Sequence, residues 1–275
     1  MKFLILSSIL FSANSFAWGP TGHRVVGEIA QKHLTAQAAT QIRTILKSQS
    51  MARVSTWPDE IKSEPETYKH TFFWHYTDWA DDVHQHDESN ISGKLMTSIN
   101  DHLKILKDPT AAQDKKALSL KFLVHLVGDL HMPLHVGNGL DHGGNNCRVT
   151  FHGKPTNLHA LWDEQMIDFT KLSFTELTNF VSQGRTRTDM AEIMKGTPLD
   201  WALESKNLRG TIYPENVSTP KVPMSVKEYC RKDVLAPDEE LPKLGYEYSY
   251  KFMPVVEKRL FAAGLRLAYL LNQSL

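Results

Sequence analysis

Residues 122–135 read Phe-Leu-Val-His-Leu-Val-Gly-Asp-Leu-His-Met-Pro-Leu-His, an apolar run broken by His125, Asp129, His131 and His135. The run predicts a buried helix over 117–130, which Pro133 stops just before His135. On a helix, His125 and Asp129 stand one turn apart on one face. An imidazole and a carboxylate buried together shift their pKa values and neutralise, unless a cation holds them. A metal ion is the simplest occupant. The same His-x3-Asp spacing recurs at His159 and Asp163, again among large apolar side chains.

The rest of the chain reads as helices around that segment. Val25, Val26, Ile29 and Ala30 follow His23 at helical spacing, and Thr35 is an N-cap candidate for a helix through Ile42, Ile45 and Leu46. Residues 50–90 lack long periodicity and carry Trp57-Pro58-Asp59 and an aromatic stretch over 72–79, so they read as functional loops and short helices. Met96, Ile99, Leu103 and Leu106 mark a helix ending before Pro109. Gly143-Gly144-Asn145 opens a turn into 147–151, the best strand candidate and one arm of a hairpin. Helices are predicted at about 157–169, 173–183, 188–195 and 199–206. A Pro- and Gly-rich surface loop over 210–224, the segment 225–231, another Pro-containing stretch and a closing amphipathic helix over 253–272 complete the chain. No repeat or linker divides it. The expected fold is mainly α, a single domain over 18–275 with a small β-hairpin.

The formal net charge of the 275 residues is zero, so no broad basic surface advertises nucleic acid and any attraction for phosphate must be local. Residues 1–17 carry Lys2, an apolar stretch and Ser15-Phe16-Ala17, the pattern of a secretory signal peptide too short to span a bilayer. Cleavage there would leave Trp18 as the mature N-terminus. A secreted or periplasmic protein without a membrane anchor is expected, and the short leader favours a bacterial source. In an oxidising compartment Cys147 and Cys230 are expected to pair, stabilising the fold by roughly 2–4 kcal/mol. Two separate buried thiols are the alternative.

Polar groups in apolar settings comprise His23, Asp59, His75, His125, Asp129, His135, His159 and Asp163. Imidazoles and carboxylates without thiolates favour zinc, or a similar transition ion, over calcium or magnesium. Eight such ligands exceed one tetrahedral site, so two or three ions are implied. Trp18-Gly-x-x-Gly-His23, Trp57-x-Asp59, His75-x-x-Asp78, His125-x3-Asp129-x5-His135, Gly143-Gly144-Asn145 and His159-x3-Asp163 together resemble the zinc-dependent S1/P1 nuclease family, in order and spacing, over nearly all of 18–275.

The resemblance implies three zinc ions per chain. Asp59, His75, His125 and Asp129 would hold one, and His135, His159 and Asp163 a second. His23, Asp129 and the amino nitrogen and carbonyl oxygen of Trp18 would hold the third. An α-amino group has a pKa of about 7.7–8.0, so it yields its proton to a metal at little cost, but only once the leader is gone. The implied activity is hydrolysis of single-stranded DNA and RNA to 5′-phosphate products, with 3′-nucleotidase activity. Asp59, Lys62 and Asp129 would act in catalysis, Lys62 as a point-like phosphate contact where some members carry Arg. Tyr76 would stack a base, with Asp78 and Asn145 beside it. A monomer is assumed. The alternatives are a zinc phospholipase C, a related family with an N-terminal Trp and the same kind of ligands, and a non-enzymatic zinc-binding protein.

Other histidines have plainer readings. His33, His70 and His131 are expected to be hydrogen-bonded core residues, His131 beside the ligands, and His84, His86, His142 and His152 to be solvated. The tryptophans at 57, 74, 79, 162 and 201 are expected to pack. Asn90, Asn216 and Asn272 head glycosylation sequons that matter only in a eukaryotic source.

Overall fold

The computed structural model describes residues 18–214, 230 and 241–275. The expected leader, the segment 225–231 apart from residue 230, and most of the loop predicted over 210–224 lie outside them, as does Asn216.

Among the described residues, the architecture is helical and centred on Gln113–His131, in which Ser119, Leu120 and every residue from Phe122 to His131 are buried. This central helix begins four residues earlier than its apolar run suggested, because polar residues form its exposed first turn. It ends as expected. Met132 is extended ahead of Pro133 (φ −84°, ψ 117°), as steric contact with a following proline requires, and Pro133–His135 forms one 3₁₀ turn.

Pro20–Lys32 packs on the central helix and on the closing helix Tyr246–Asn272. Two glycines permit close approach. A Cβ on Gly27 would lie 2.8 Å from the Met51 carbonyl, and one on Gly264 would lie 2.5 Å from the Ile29 Cβ. Thr35 caps Ala36–Ile45 by accepting from the Ala38 amide. Leu95–Lys107 covers another face of the central helix. Short turns fill the stretch that lacked periodicity: Met51–Val54, Trp57–Glu60, Ile61–Ser63, Pro65–Tyr68 and Lys69–Trp74.

Two more predicted helices are longer than expected. Pro198–Ile212 runs beyond residue 206 because Lys206 and Arg209 occupy inward positions, with Trp201, Ala202, Ser205 and Ile212, and so conceal the apolar period. The closing helix starts at Tyr246 and continues through Pro254. Pro254 is exposed, as is Tyr250 four residues earlier, so water can satisfy the carbonyl that proline leaves without a donor.

The β structure is small. Arg148–Phe151 pairs antiparallel with Lys154–Asn157, confirming the hairpin, and parallel with Lys243–Leu244 on its other edge. A second pair was not foreseen: Thr77–Asp78 runs parallel to Val136–Gly137. A disulfide joins Cys147 to Cys230. No helix of the described residues is long and apolar enough to cross a membrane.

Candidate metal centre and cleft

Each expected ligand sits where its element turns. His125 and Asp129 stand on the central helix, fully buried, and His135 follows in the 3₁₀ turn. Gly128 has no side chain, and a Cβ there would come 3.0 Å from the His23 ring, so His23 can lie flat on His125 with ring centroids 3.7 Å apart. Trp18 is wholly buried and donates its indole N–H to the Gly128 carbonyl at 2.8 Å. His159 and Asp163 span a short helix and a π-turn, Leu161–Gln165. The Asp163 carbonyl accepts from the Gly19 amide at 2.8 Å, tying the start of the described chain to this turn.

The side chains form overlapping groups: His23, Asp59 and His125; His75, His125 and Asp129; His135, His159 and Asp163. Asp129 turns Oδ1 to His23 Nε2 at 3.3 Å and Oδ2 to His75 Nδ1 at 3.1 Å and His125 Nε2 at 3.4 Å. Asp59 Oδ1 lies 3.8 Å from His75 Nδ1 and 3.7 Å from His125 Nε2. Asp163 faces His135 Nε2 at 3.6 Å and His159 Nε2 at 3.0 Å. Asp141, Cys147 and Cys230 also converge, but the disulfide consumes both thiols.

Hydrogen bonds set the tautomers. Nδ1–H of His125 donates to Ser55 O at 2.7 Å, that of His135 to His75 O at 2.6 Å, and that of His159 to Gly143 O at 2.7 Å. Carbonyl oxygens only accept, so in each neutral ring Nε2 carries a lone pair pointed at carboxylate oxygens. Acceptors therefore face acceptors in a dry interior. His23 Nε2, His135 Nε2, Asp129 Oδ1 and both Asp163 oxygens have no hydrogen-bond donor. A cation resolves this: ligands about 2.1 Å from a tetrahedral zinc are separated by about 3.4 Å, within the range seen here. The donor set fits zinc.

Burial has the same consequence for charge in the metal-free chain. It pushes His23 and His75 well below the usual imidazole range, aided by neighbouring His125, His135 and Lys62, and lowers His125 to about 4. Burial, then the negative Asp59, drive Asp129 well above the usual carboxylate range. Asp163 goes the other way: burial raises it, but His159 and His135 outweigh burial and hold it low.

A cleft of about 520 Å³ opens beside these groups, lined by His75, His135 and His159 together with Lys62, Phe72, Tyr76, Asp78, Ser92 and Asn145. Lys62 is one turn beyond Asp59, and its Nζ lies 2.7 Å from Asp59 Oδ1. The Tyr76 hydroxyl shares a hydrogen bond with Ser92 Oγ at 2.8 Å, and Asn145 donates to His142 O. Burial and the nearby Asp141 raise Asp78, against His142 and Arg209. Thus every expected substrate-contact residue reaches one cleft.

Several residues differ from their sequence reading. The His131 side chain touches no expected ligand: it donates to Val127 O, accepts from Arg266, and belongs to a buried network with Arg259 and Glu204. Its odd offset from Asp129 points it to the other side of the helix. His70 is exposed beside Trp74, and His33 is half-buried against Phe261. The His86 side chain is covered, bonded to Thr77 Oγ1 and packed on Trp79. His152 stacks on Phe169. Sequence reasoning missed the main-chain acceptors at Ser55 and His75 and the Ser92 and Phe72 linings. Backbone roles leave no residue-type signal.

Buried histidines and aspartates beside a cleft with an ammonium group at its wall make this a helical protein with candidate metal sites open to a ligand. The S1/P1 nuclease family model matches residues 18–275. The chain belongs to the S1/P1 nuclease family, whose members are phosphodiester hydrolases. It is 27% identical to Endonuclease 4 of Arabidopsis thaliana, over 99% of this chain and 93% of that one. Identity with Nuclease S1 of Aspergillus oryzae is 29%, over 92% and 90% of the two chains. Nuclease P1 of Penicillium citrinum is 32% identical over 54% of this chain and 58% of its own.

Proposed function

We propose that this nuclease cleaves single-stranded DNA and RNA at a three-zinc centre, releasing 5′-phosphate products, and also acts as a 3′-nucleotidase. The observation that carries the reading is the convergence of acceptor atoms: fixed Nε2 lone pairs opposite carboxylates, without donors, at the inner wall of a cleft. His23, Asp129 and the Trp18 backbone, then Asp59, His75, His125 and Asp129, then His135, His159 and Asp163 would hold the ions. Bound zinc would supply an ionised water near neutral pH and positive charge for the phosphate.

The chain's own groups do the rest. Lys62, held by Asp59, presents a cation to a phosphate oxygen in the cleft. Tyr76 offers an aromatic face, which accepts any base. Asp78 and Asn145 provide an acceptor and an amide for base edges. A cleft of this size admits a flexible strand with a splayed base more readily than a stacked duplex.

We also propose that residues 1–17 are a signal peptide and that the protein works outside the cytoplasm. The Ser15-Phe16-Ala17 pattern and the Cys147–Cys230 disulfide support this.

The test uses the chain beginning at Trp18, incubated with single-stranded DNA, RNA and phosphatidylcholine before and after chelation, with zinc measured on the same sample. Chelator-sensitive 5′-phosphorylated fragments and about three zinc ions per chain are expected. Headgroup release without nucleic-acid cleavage would transfer the site to phospholipase chemistry. A zinc-loaded chain inert toward both would leave a binding protein.

A further inference from the structure

Arg209 is almost wholly buried, on a helix that supplies no cleft residue. Its guanidinium donates to the main-chain oxygens of Val136 and of Trp79, the latter at 3.0 Å, and to Asp81 Oδ1 at 2.6 Å. Val136 directly follows His135, an expected ligand, and Trp79 directly follows Asp78, an expected base contact. Val136 opens one strand of the parallel pair Thr77–Asp78 and Val136–Gly137, and Trp79 follows the end of the other. With two residues on each side, that pair is too short to hold its own register.

The same helix grips the region elsewhere. Lys206 donates to Val83 O and lies over the Trp79 ring. Beyond the helix end, the Tyr213 hydroxyl donates to Asp141, whose other oxygen accepts from the Gly144 amide beside Asn145. A buried guanidinium is costly to desolvate and is kept where fixed acceptors match its fork.

We infer that Arg209 is a positioning residue, which holds the wall carrying Tyr76 and Asp78 in register with the wall carrying His135; the inference rests on the nuclease reading above. Arg209 touches no substrate. It governs how well a nucleobase is held while the phosphate sits at the centre.

The test compares the zinc-loaded chain with Arg209→Lys on a dinucleotide and on bis(4-nitrophenyl) phosphate, a diester without a base. One ammonium cannot reach all three acceptors. The ratio of kcat/KM on the dinucleotide to that on the base-free diester is expected to fall roughly tenfold, through KM, with zinc content kept. The Trp79 amide, bonded to Gly137 O at 2.7 Å, should exchange faster with solvent. Asp81→Asn, which keeps the guanidinium but loosens it, should show a smaller fall of the same kind.

Equal losses on both substrates with lost zinc, or an unchanged ratio, would overturn the inference while leaving the nuclease reading intact. A parent chain silent on nucleotides would instead defeat the nuclease reading itself, and this inference with it.

Discussion

His135 donates Nδ1–H to the main-chain oxygen of His75 at 2.6 Å, so the backbone of one expected ligand orients the ring of another. The two groups of acceptors are thereby coupled through a single carbonyl, and a disturbance at one reaches the other. Outer partners of this kind typically carry 10–100-fold in metal affinity or activity.

Asp129→Asn should be the most damaging single change. Asp129 turns one oxygen to His23 and the other to His75 and His125, so it links two of the expected ion sites, and the variant should lose at least one zinc and activity on the order of a hundredfold or more. Metal analysis and turnover on the same sample check this. Full activity with full metal content would remove Asp129 from the centre.

Lys62→Ala should lower kcat by about a hundredfold, the usual cost of losing one donor to developing charge, and Lys62→Arg should recover most of it. Because Lys62 also neutralises Asp59 at 2.7 Å, zinc content must be followed in parallel.

Gly143→Ala should weaken the group around Asp163. Gly143 has φ +59°, and a Cβ there would meet Leu134 O at 2.5 Å, so the carbonyl that fixes His159 would shift. A loss of about 1–3 kcal/mol in stability is expected, with lower zinc occupancy, by thermal unfolding and metal titration.

Stability should fall below about pH 6.5. Burial, then Arg259 and Arg266, push His131 well below its ordinary value, so the folded state keeps the ring neutral while the unfolded chain protonates it near pH 6.5. Stability from this group is fully present above that pH and declines as pH drops, by up to about 1.4 kcal/mol per unit. His23, His75 and His125 share the sign in the chelated chain. His131→Gln in chelator should therefore reduce, not abolish, the slope of stability against pH between 5 and 6.5.

Reduction of the Cys147–Cys230 bond, which spans 83 residues, should destabilise the chain by roughly 2–4 kcal/mol, read from denaturation midpoints with and without reductant.

Much of this was written in local pattern. The periodicity around Val25, Ile42, Ile99 and Leu260 reflects burial of one helix face, and Thr35 and Pro133 act through their immediate neighbours, so all were readable from the chain. The expected ligands stood out because polar groups in apolar runs demand compensation. Residues whose partners are distant or main-chain were not readable. Lys206 looked like the end of a helix and Arg209 lay beyond it, His86 and His152 looked like solvated side chains, and His131 like a neighbour of the ligands.

The sequence by itself determined the helical class, the hairpin and which imidazoles and carboxylates are candidates to hold a cation, because burial and charge act residue by residue. Only the tertiary structure decided which of them meet. It set each ring's tautomer through the carbonyls of Ser55, His75 and Gly143, paired Thr77–Asp78 with Val136–Gly137, and brought Arg209 across to both. Those bonds join backbone atoms far apart along the chain, and every residue type carries the same backbone.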